Sequence, residues 1–242
     1  MRKVALVFAG GVGNRMNSKA KPKQFLEIHG KPIIVHTIEA FENHPEIDAI
    51  CVVIVETWLD YMRSLVEKYN LTKVRWVIPG GVAALDSQYN GLCAISSAPE
   101  ASPEDIILIH DGVRPLITEA LISACIASVK EFGSGVTIAP ATETIVQTNE
   151  NGQIVNTIPR KECQLARAPQ CFYVKDILAA HERAKAEGKY DFIDSTSMLL
   201  HFGKTVHIVE GPPENLKVTT PSDFYICRAL LDARENSQIY GL

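Results

Sequence analysis

Four short segments carry residue types that suit work on phosphate. The first is Ala9-Gly10-Gly11-Val12-Gly13-Asn14-Arg15-Met16, directly after the apolar run Val4–Phe8. Glycines let backbone N–H groups approach a phosphate closely, and Arg15 adds a cationic fork. No Gly-Lys-Ser/Thr follows, and Met16 stands where a dinucleotide fingerprint has its third glycine, so neither common phosphate motif is present. The second is Lys19-Ala20-Lys21-Pro22-Lys23-Gln24-Phe25, three lysines in a loop that Pro22 keeps extended. Alone it would be a solvated charge run; beside a glycine loop it becomes an anion site. The third is His110-Asp111-Gly112-Val113-Arg114-Pro115. Asp111 at a strand end could hold Mg2+, or could cap a turn and pair with Arg114. The fourth is Asn215-Leu216-Lys217-Val218-Thr219-Thr220-Pro221, where the threonines either bond phosphate oxygens or lead into a helix. Together these segments describe a nucleoside triphosphate site without a P-loop, since transfer at phosphorus needs positioned cations.

The elements that must hold these segments alternate. Strands are expected at Val4–Phe8, Ala49–Val55, Arg75–Ile78, Ile106–Ile109, Gly135–Ala139 and Thr205–Val209. Helices are expected at Ile33–Phe41, Trp58–Tyr69, Ser87–Ile95, Thr118–Phe132, Val174–Glu187 and Ser222–Asn236, the last with Ser222 as N-cap. Repeated strand-then-helix units imply an α/β fold, a mostly parallel sheet with helices on both faces. Ligands then bind beyond the carboxyl ends of the strands, where the unusual residues at 9–15, 79–87 and 110–115 fall. Residues 140–170 break the pattern. Thr142–Gln147 and Gln153–Ile158 alternate around the turn Asn149-Glu150-Asn151-Gly152, which predicts a projecting β-hairpin arm on a single domain spanning 1–242. His36 and Cys171 read as packing residues and His110 as a turn-shaping one.

Composition narrows the function classes. The chain has 242 residues, 46% hydrophobic and 21% charged, with a net charge of −4. That excludes wholesale disorder, and no basic excess points to nucleic acid or to an anionic membrane. No apolar run reaches the ~20 residues that span a bilayer. The start Met1-Arg2-Lys3 precedes too short an apolar run for a signal peptide. Six cysteines without C-x-x-C spacing read as reduced thiols of a cytoplasmic protein.

The motifs in order resemble the CDP-alcohol cytidylyltransferases, which make CDP-alcohols from CTP and a polyol phosphate. The resemblance runs from Val4 to Leu231. It rests on A-G-G-x-G-x-R-M at 9–16, P-K-Q-F at 22–25, G-K-P-I-I-V-H-T at 30–37, D-S at 86–87, H-D-G-V-R-P at 110–115, P-Q at 169–170 and N-L-K-V-T-T-P at 215–221. It implies a Rossmann-like nucleotidyltransferase fold, a homodimer with interlocking β-arms, and a Mg2+-dependent attack of the acceptor phosphate on the α-phosphorus of CTP. By the same resemblance Arg15, Lys23 and Lys217 are catalytic cations. Ala9, Gly10, Gly11, Gly13, Gly80, Gly81, Asp86 and Ser87 hold the nucleotide. Asp111 contacts the ribose, acceptor or metal region. Arg114, Thr144 and Arg160 hold the acceptor with Lys217, Thr144 and Arg160 reaching over from the partner's arm.

Three departures bear on the acceptor. Ala84 stands for the family's Arg in G-G-x-x-R-x-D-S, Ala168 for the Thr of T-P-Q, and Ile193 for the Thr of T-D. An Ile cannot donate a hydrogen bond, so the acceptor phosphate is expected to be held differently, with Arg167 as a nearby cation that could compensate. P-K-Q-F, Val113–Thr118 and Glu56-Thr57-Trp58 have the flavour of the ribitol-phosphate branch. The expected acceptor is D-ribitol 5-phosphate, with 2-C-methyl-D-erythritol 4-phosphate as the alternative. A sugar-1-phosphate nucleotidyltransferase shares the glycine-Arg-Lys opening, but the D-S segment and the arm argue against it. The retained Arg15, Lys23, Asp111, Arg160 and Lys217 argue against an inactive nucleotide-binding protein.

Overall fold

The computed structural model describes residues 1–10, 21–189 and 191–240, without the side chains of 237–240. In chain order the elements are β1 (Lys3–Ala9), β2 (Glu27–Ile28), β3 (Lys31–Pro32), α1 (Ile33–Glu42), β4 (Ala49–Ile54), α2 (Leu59–Lys68), β5 (Val74–Pro79), α3 (Ala84–Ser96) and β6 (Ile106–Asp111). Then follow α4 (Glu119–Phe132), β7 (Ser134–Pro140), β8 (Ile145–Thr148), β9 (Ile154–Ile158), β10 (Gln164–Tyr173), α5 (Val174–Ala186), α6 (Ser195–His201), β11 (Ile208–Glu210) and α7 (Pro221–Tyr240).

Alternation by two along the strands decides the layering. Ala5 and Val7 of β1 pack with Ile34 and Ile38 of α1, Met62 of α2 and Ile122 of α4. Val4 and Leu6 face the other way, toward Leu92 of α3, Ile177 of α5 and Met198 of α6. The strands are therefore buried on both sides, and β4 (AICVVI) and β6 (IILIHD) are buried at every residue. A third, smaller cluster joins Ile28, Ile33, Val113 and Leu116 to Val218 and Cys227, tying the β2–β3 turn and the 113–116 loop to α7.

The main sheet has seven strands in the order β11-β7-β10-β6-β1-β4-β5. All neighbours are parallel except those of β10, which runs antiparallel to both β6 and β7. The chain leaves β1 toward β4 and β5, then returns to the opposite side of β1 as β6. The crevice at the carboxyl ends of β1 and β6 is the switch point where such sheets bind ligands. Because β10 runs the other way, its early residues reach this same end, with Gln170 opposite Ile109.

Sequence and structure differ in several places. The arm was expected over 140–170, but the hairpin is β8–β9, and from Gln164 the chain is back in the main sheet as β10. Arg167, Pro169 and Gln170 interrupt the apolar pattern there, and Pro169 falls at the register shift between Ala166 and Gln170, where a strand tolerates a missing N–H. Helix α3 begins three residues before the expected Ser87. Helix α6 was not expected; it is seven residues long, and Asp194 caps it by accepting from the Ser197 N–H at 2.8 Å. Ser222 is not the N-cap of α7. Thr220 takes that place, its Oγ1 accepting from the Asp223 N–H while Asp223 Oδ2 accepts from the Thr220 N–H, with Pro221 as the first helical residue.

Candidate active site

Two cavities open beyond the carboxyl ends of β1 and β6. One, of about 250 Å³, is lined by Ala9, Gly10, Lys23, Val82, Ala83, Ser87 and Val113. The other, of about 190 Å³, is lined by Gln88, Arg114, Arg167, Ala168, Gln170, Ile193 and Asp194. Both are also lined by Phe8, Ala84, Asp111 and Lys217, which form the wall between them.

In the first cavity, Ser87 is the focus of the glycine-rich turns. A Cβ at Gly10 or at Gly80 would lie 2.8 Å from Ser87 Oγ, so only glycine lets the ends of β1 and β5 converge there. The Gly81 N–H donates to Ser87 Oγ at 3.0 Å, and that hydroxyl donates to the Ala83 carbonyl at 3.1 Å. Lys23 sits on a short 3-10 turn, and its Nζ donates to the Val218 carbonyl at 3.0 Å, tying the lysine loop to the 217–220 loop. Gln24, buried beside it, donates to the Ala9 carbonyl at 2.9 Å and fixes the end of β1.

On the wall, Asp111 Oδ1 lies 2.6 Å from Lys217 Nζ, and Oδ2 accepts from Arg114 Nε at 2.7 Å. Burial alone would raise the Asp111 carboxyl, but the Lys217 ammonium and the Arg114 guanidinium override it and hold it at about 2. In the second cavity, Arg114 Nη1 and Arg167 Nη1 both donate to the Asn215 carbonyl, at 3.0 and 2.8 Å. Burial and the Arg114 charge lower the Arg167 pKa, and no ion pair to Arg167 stands among the described residues. Asn215, fully buried, donates from Nδ2 to the Ala168 carbonyl at 2.7 Å and so ties β10 to the lysine-bearing loop.

Several expected site residues land elsewhere. Gly11, Gly13 and Arg15 lie outside the described residues. Asp86 does not line the first cavity; its Oδ2 accepts from the Ala83 N–H at 3.0 Å and caps α3. Gly80 and Gly81 line neither of the two cavities and act through Ser87. Thr144 and Arg160 are exposed and line neither cavity of their own chain; Arg160 donates to the Thr142 carbonyl. Thr219 and Thr220 lead into α7, their N–H groups donating to Asp223 Oδ2. Arg167 lines the second cavity.

Sequence reading missed Gln24 and Gln88 as individual residues. For Gln88 a signal exists. It falls on the stripe of α3 that also buries Gly91, Leu92 and Ile95, a polar side chain at a core-facing position.

Asp111 is the only carboxylate lining the nucleotide-side cavity among the described residues, and both of its oxygens already face a cation. No cluster of three or more His, Cys, Asp or Glu side chains that could hold a metal stands among those residues. A Mg2+ ion brought here by phosphate groups would have one protein carboxylate beside it, Asp111, in competition with Lys217 and Arg114.

Beside Asp111, His110 is fully buried. Its Nε2 lies 3.1 Å from the Arg114 carbonyl, shaping the 111–114 turn, and burial pushes its pKa down to about 4. His181 on α5 is likewise buried and pushed down to about 4 by desolvation. Both are neutral in the fold and protonate more readily in the unfolded chain, at about 6.5. Their contribution is fully present above that value and is lost as pH falls from about 6.5 toward 4. The melting temperature should stay flat from pH 8 to 7 and drop by several degrees by pH 5. A constant melting temperature across pH 7 to 5 would contradict this.

The chain matches the family model of 2-C-methyl-D-erythritol 4-phosphate cytidylyltransferase over residues 3–233. It belongs to that family. Among the relatives, a ribitol-5-phosphate cytidylyltransferase of Streptococcus agalactiae serotype V is 52% identical over the whole length of both chains. Another of that name, from Vibrio parahaemolyticus, is 46% identical over 98% of this chain and 99% of its own. A 2-C-methyl-D-erythritol 4-phosphate cytidylyltransferase of Geotalea uraniireducens is 40% identical over 96% and 97%. The crystal structure of 4-diphosphocytidyl-2C-methyl-D-erythritol synthase from Anaerococcus prevotii superposes with a TM-score of 0.82, 26% identity and 96% of each chain covered. No helix among the described residues is long and apolar enough to cross a membrane.

Proposed function

We propose that this cytidylyltransferase joins CMP from CTP to the phosphate of D-ribitol 5-phosphate, forming CDP-ribitol and releasing pyrophosphate. The observation that carries the reading is the shared wall. Two cavities meet at the Asp111–Lys217 pair, so a nucleotide in one and a phosphorylated acceptor in the other bring their phosphates to the same cation. The ribitol-5-phosphate cytidylyltransferases at 52% and 46% identity support this acceptor over the methylerythritol phosphate named for the relative at 40%.

An acceptor phosphate oxygen attacks the α-phosphorus; the new P–O bond forms as the bond to the β-phosphate oxygen breaks. A phosphate monoester is largely dianionic at pH 7, so no side chain needs to remove a proton. The protein's work is positioning and neutralising charge. Lys23 and Arg15 serve the triphosphate, Lys217 serves the two phosphates that react, and Arg114 with Arg167 serves the acceptor. Ser87 and the backbone at Ala9 and Gly10 line the nucleotide's place. Mg2+, held by the triphosphate beside Asp111, would supply further neutralisation of the leaving group. The β8–β9 hairpin carries exposed Val146, Ile154 and Val155, which suits burial against a second copy and would bring the partner's Thr144 and Arg160 to the acceptor. The six free cysteines suit a reducing cytoplasm.

The test is pyrophosphate release with CTP and Mg2+ across ribitol 5-phosphate, methylerythritol 4-phosphate and glycerol 3-phosphate. The expected result is the highest kcat/KM with ribitol 5-phosphate. A preference for methylerythritol 4-phosphate would overturn the acceptor, and turnover with UTP or GTP instead of CTP would overturn the nucleotide.

A further inference from the structure

The acceptor-side cavity is lined by two separate polar groups of residues. One is the cationic group of Asp111, Lys217, Arg114 and Arg167, closed by the Asn215 carbonyl. The other joins three elements that sequence keeps far apart: Gln88 of α3, Gln170 of β10 and Asp194 at the start of α6, with buried Ser195 bonding Gln88 from behind the lining. Nothing in the transfer chemistry uses this second group.

Its hydrogen bonds are nearly all taken. Asp194 Oδ1 accepts from the Ser197 N–H, and Oδ2 accepts from Gln170 Nε2 at 2.7 Å. Gln170 Oε1 accepts from the Thr196 N–H at 3.2 Å. Ser195 Oγ donates to Gln88 Oε1 at 2.7 Å. No hydrogen bond from the Gln88 NH2 to an acceptor stands among the described residues, and Gln88 lines the cavity. The surrounding wall is otherwise apolar, with Phe8, Ile109, Ala84, Ala166 and Ala168. A carbon chain bearing hydroxyls fits this lining, and a hydroxyl oxygen is the acceptor the amide lacks.

We infer that the Gln88 side-chain amide donates to a hydroxyl on the distal part of the acceptor's polyol chain, making Gln88 a specificity-determining residue. The inference rests on the proposed acceptor reading. The cationic group anchors the phosphate, so the amide group meets carbons farther along. Ribitol 5-phosphate has four carbinols beyond its phosphate-bearing oxygen's carbon, whereas glycerol 3-phosphate has two. A site built to bond a hydroxyl discriminates against acceptors that lack it.

The experiment compares wild type, Gln88→Met and Ser195→Ala by steady-state kinetics at saturating CTP, with glycerol 3-phosphate tested as substrate or as competitive inhibitor. Gln88→Met keeps the volume and removes the donor. It should raise KM for ribitol 5-phosphate about tenfold, the effect of one lost hydrogen bond. It should leave KM for CTP and the constant for glycerol 3-phosphate within twofold. Ser195→Ala keeps the amide but frees it to turn, and should give the same selective change at about threefold. An equal loss for both acceptors, no change for either, or a rise in KM for CTP would overturn the assignment. If Gln88→Met does not melt cooperatively, the Ser195→Ala ratio decides. Wild-type failure on ribitol 5-phosphate would instead overturn the acceptor reading, and this inference with it; an active wild type with an unchanged ratio in both variants sinks the Gln88 role alone.

Discussion

Lys217→Ala should lower kcat by at least about 100-fold while leaving the melting temperature within a few degrees of wild type. Single positioned charges that act where transition-state charge develops are worth about 10²–10³ in kcat. Lys217 is the cation that lines both cavities, and its Nζ stands 2.6 Å from Asp111 on the wall where the reacting phosphates would meet. Its side chain is 41% exposed, so little packing is lost, and Asp111 keeps Arg114 as a partner. KM for CTP should change far less than kcat, because the nucleotide retains Lys23 and the Ser87 pocket. Lys217→Arg should recover part of the activity by keeping the charge with a different reach. The measurement is turnover at saturating CTP and ribitol 5-phosphate beside a thermal melt. A fall below threefold would remove Lys217 from the reacting centre.

Asp111→Asn should cost about 3 kcal/mol of stability at pH 7, the lower end for removing one partner from a buried ion pair. The Asp111 and Arg114 side chains are both only 11% exposed, so an amide at 111 leaves a guanidinium with little water and no carboxylate. For a chain this long that corresponds to roughly 6–12 °C in melting temperature. The pH dependence follows from the pKa. In the fold the Asp111 carboxyl sits at about 2, below the unfolded value of about 3.9. Its contribution is present above about pH 4 and is lost as pH falls toward 2, so the gap between wild type and variant should narrow there. This window lies below that of His110 and His181, and the two can be separated in one series of melts. A gap under 1 kcal/mol at pH 7 would show that the carboxylate is not what holds Arg114.

Local chemistry was legible in the sequence because it needs only neighbours. Val4–Phe8 and Ile106–Ile109 are continuous apolar runs, and in a parallel sheet covered on both faces such runs become strands. Gly10 and Asp111 then had to fall at strand ends, since each comes two residues after one of those runs. The family motifs at 9–16, 110–115 and 215–221 marked the cations for the same reason, as contiguous residues in loops. Asp86 lines neither cavity although its motif is legible, because whether a carboxylate at a helix start turns to a ligand or to the Ala83 N–H depends on backbone geometry.

What only the tertiary structure decided involves residues far apart in the chain. Strand β10 carries Pro169 and charged or amide side chains, and its place between β6 and β7 comes from the ladder bonds those strands offer, not from its own apolar pattern. That placement brings Arg167 and Gln170 to the acceptor cavity. Arg114 and Arg167 converge on one carbonyl at Asn215, and Gln88, Gln170 and Ser195 meet across three elements. The sequence by itself determined the layered sheet, the glycine- and lysine-bearing loops and the family. The division into two cavities, the Asp111–Lys217 wall between them and the unspent Gln88 amide came from long-range packing, because no local pattern records which distant polar groups satisfy one another.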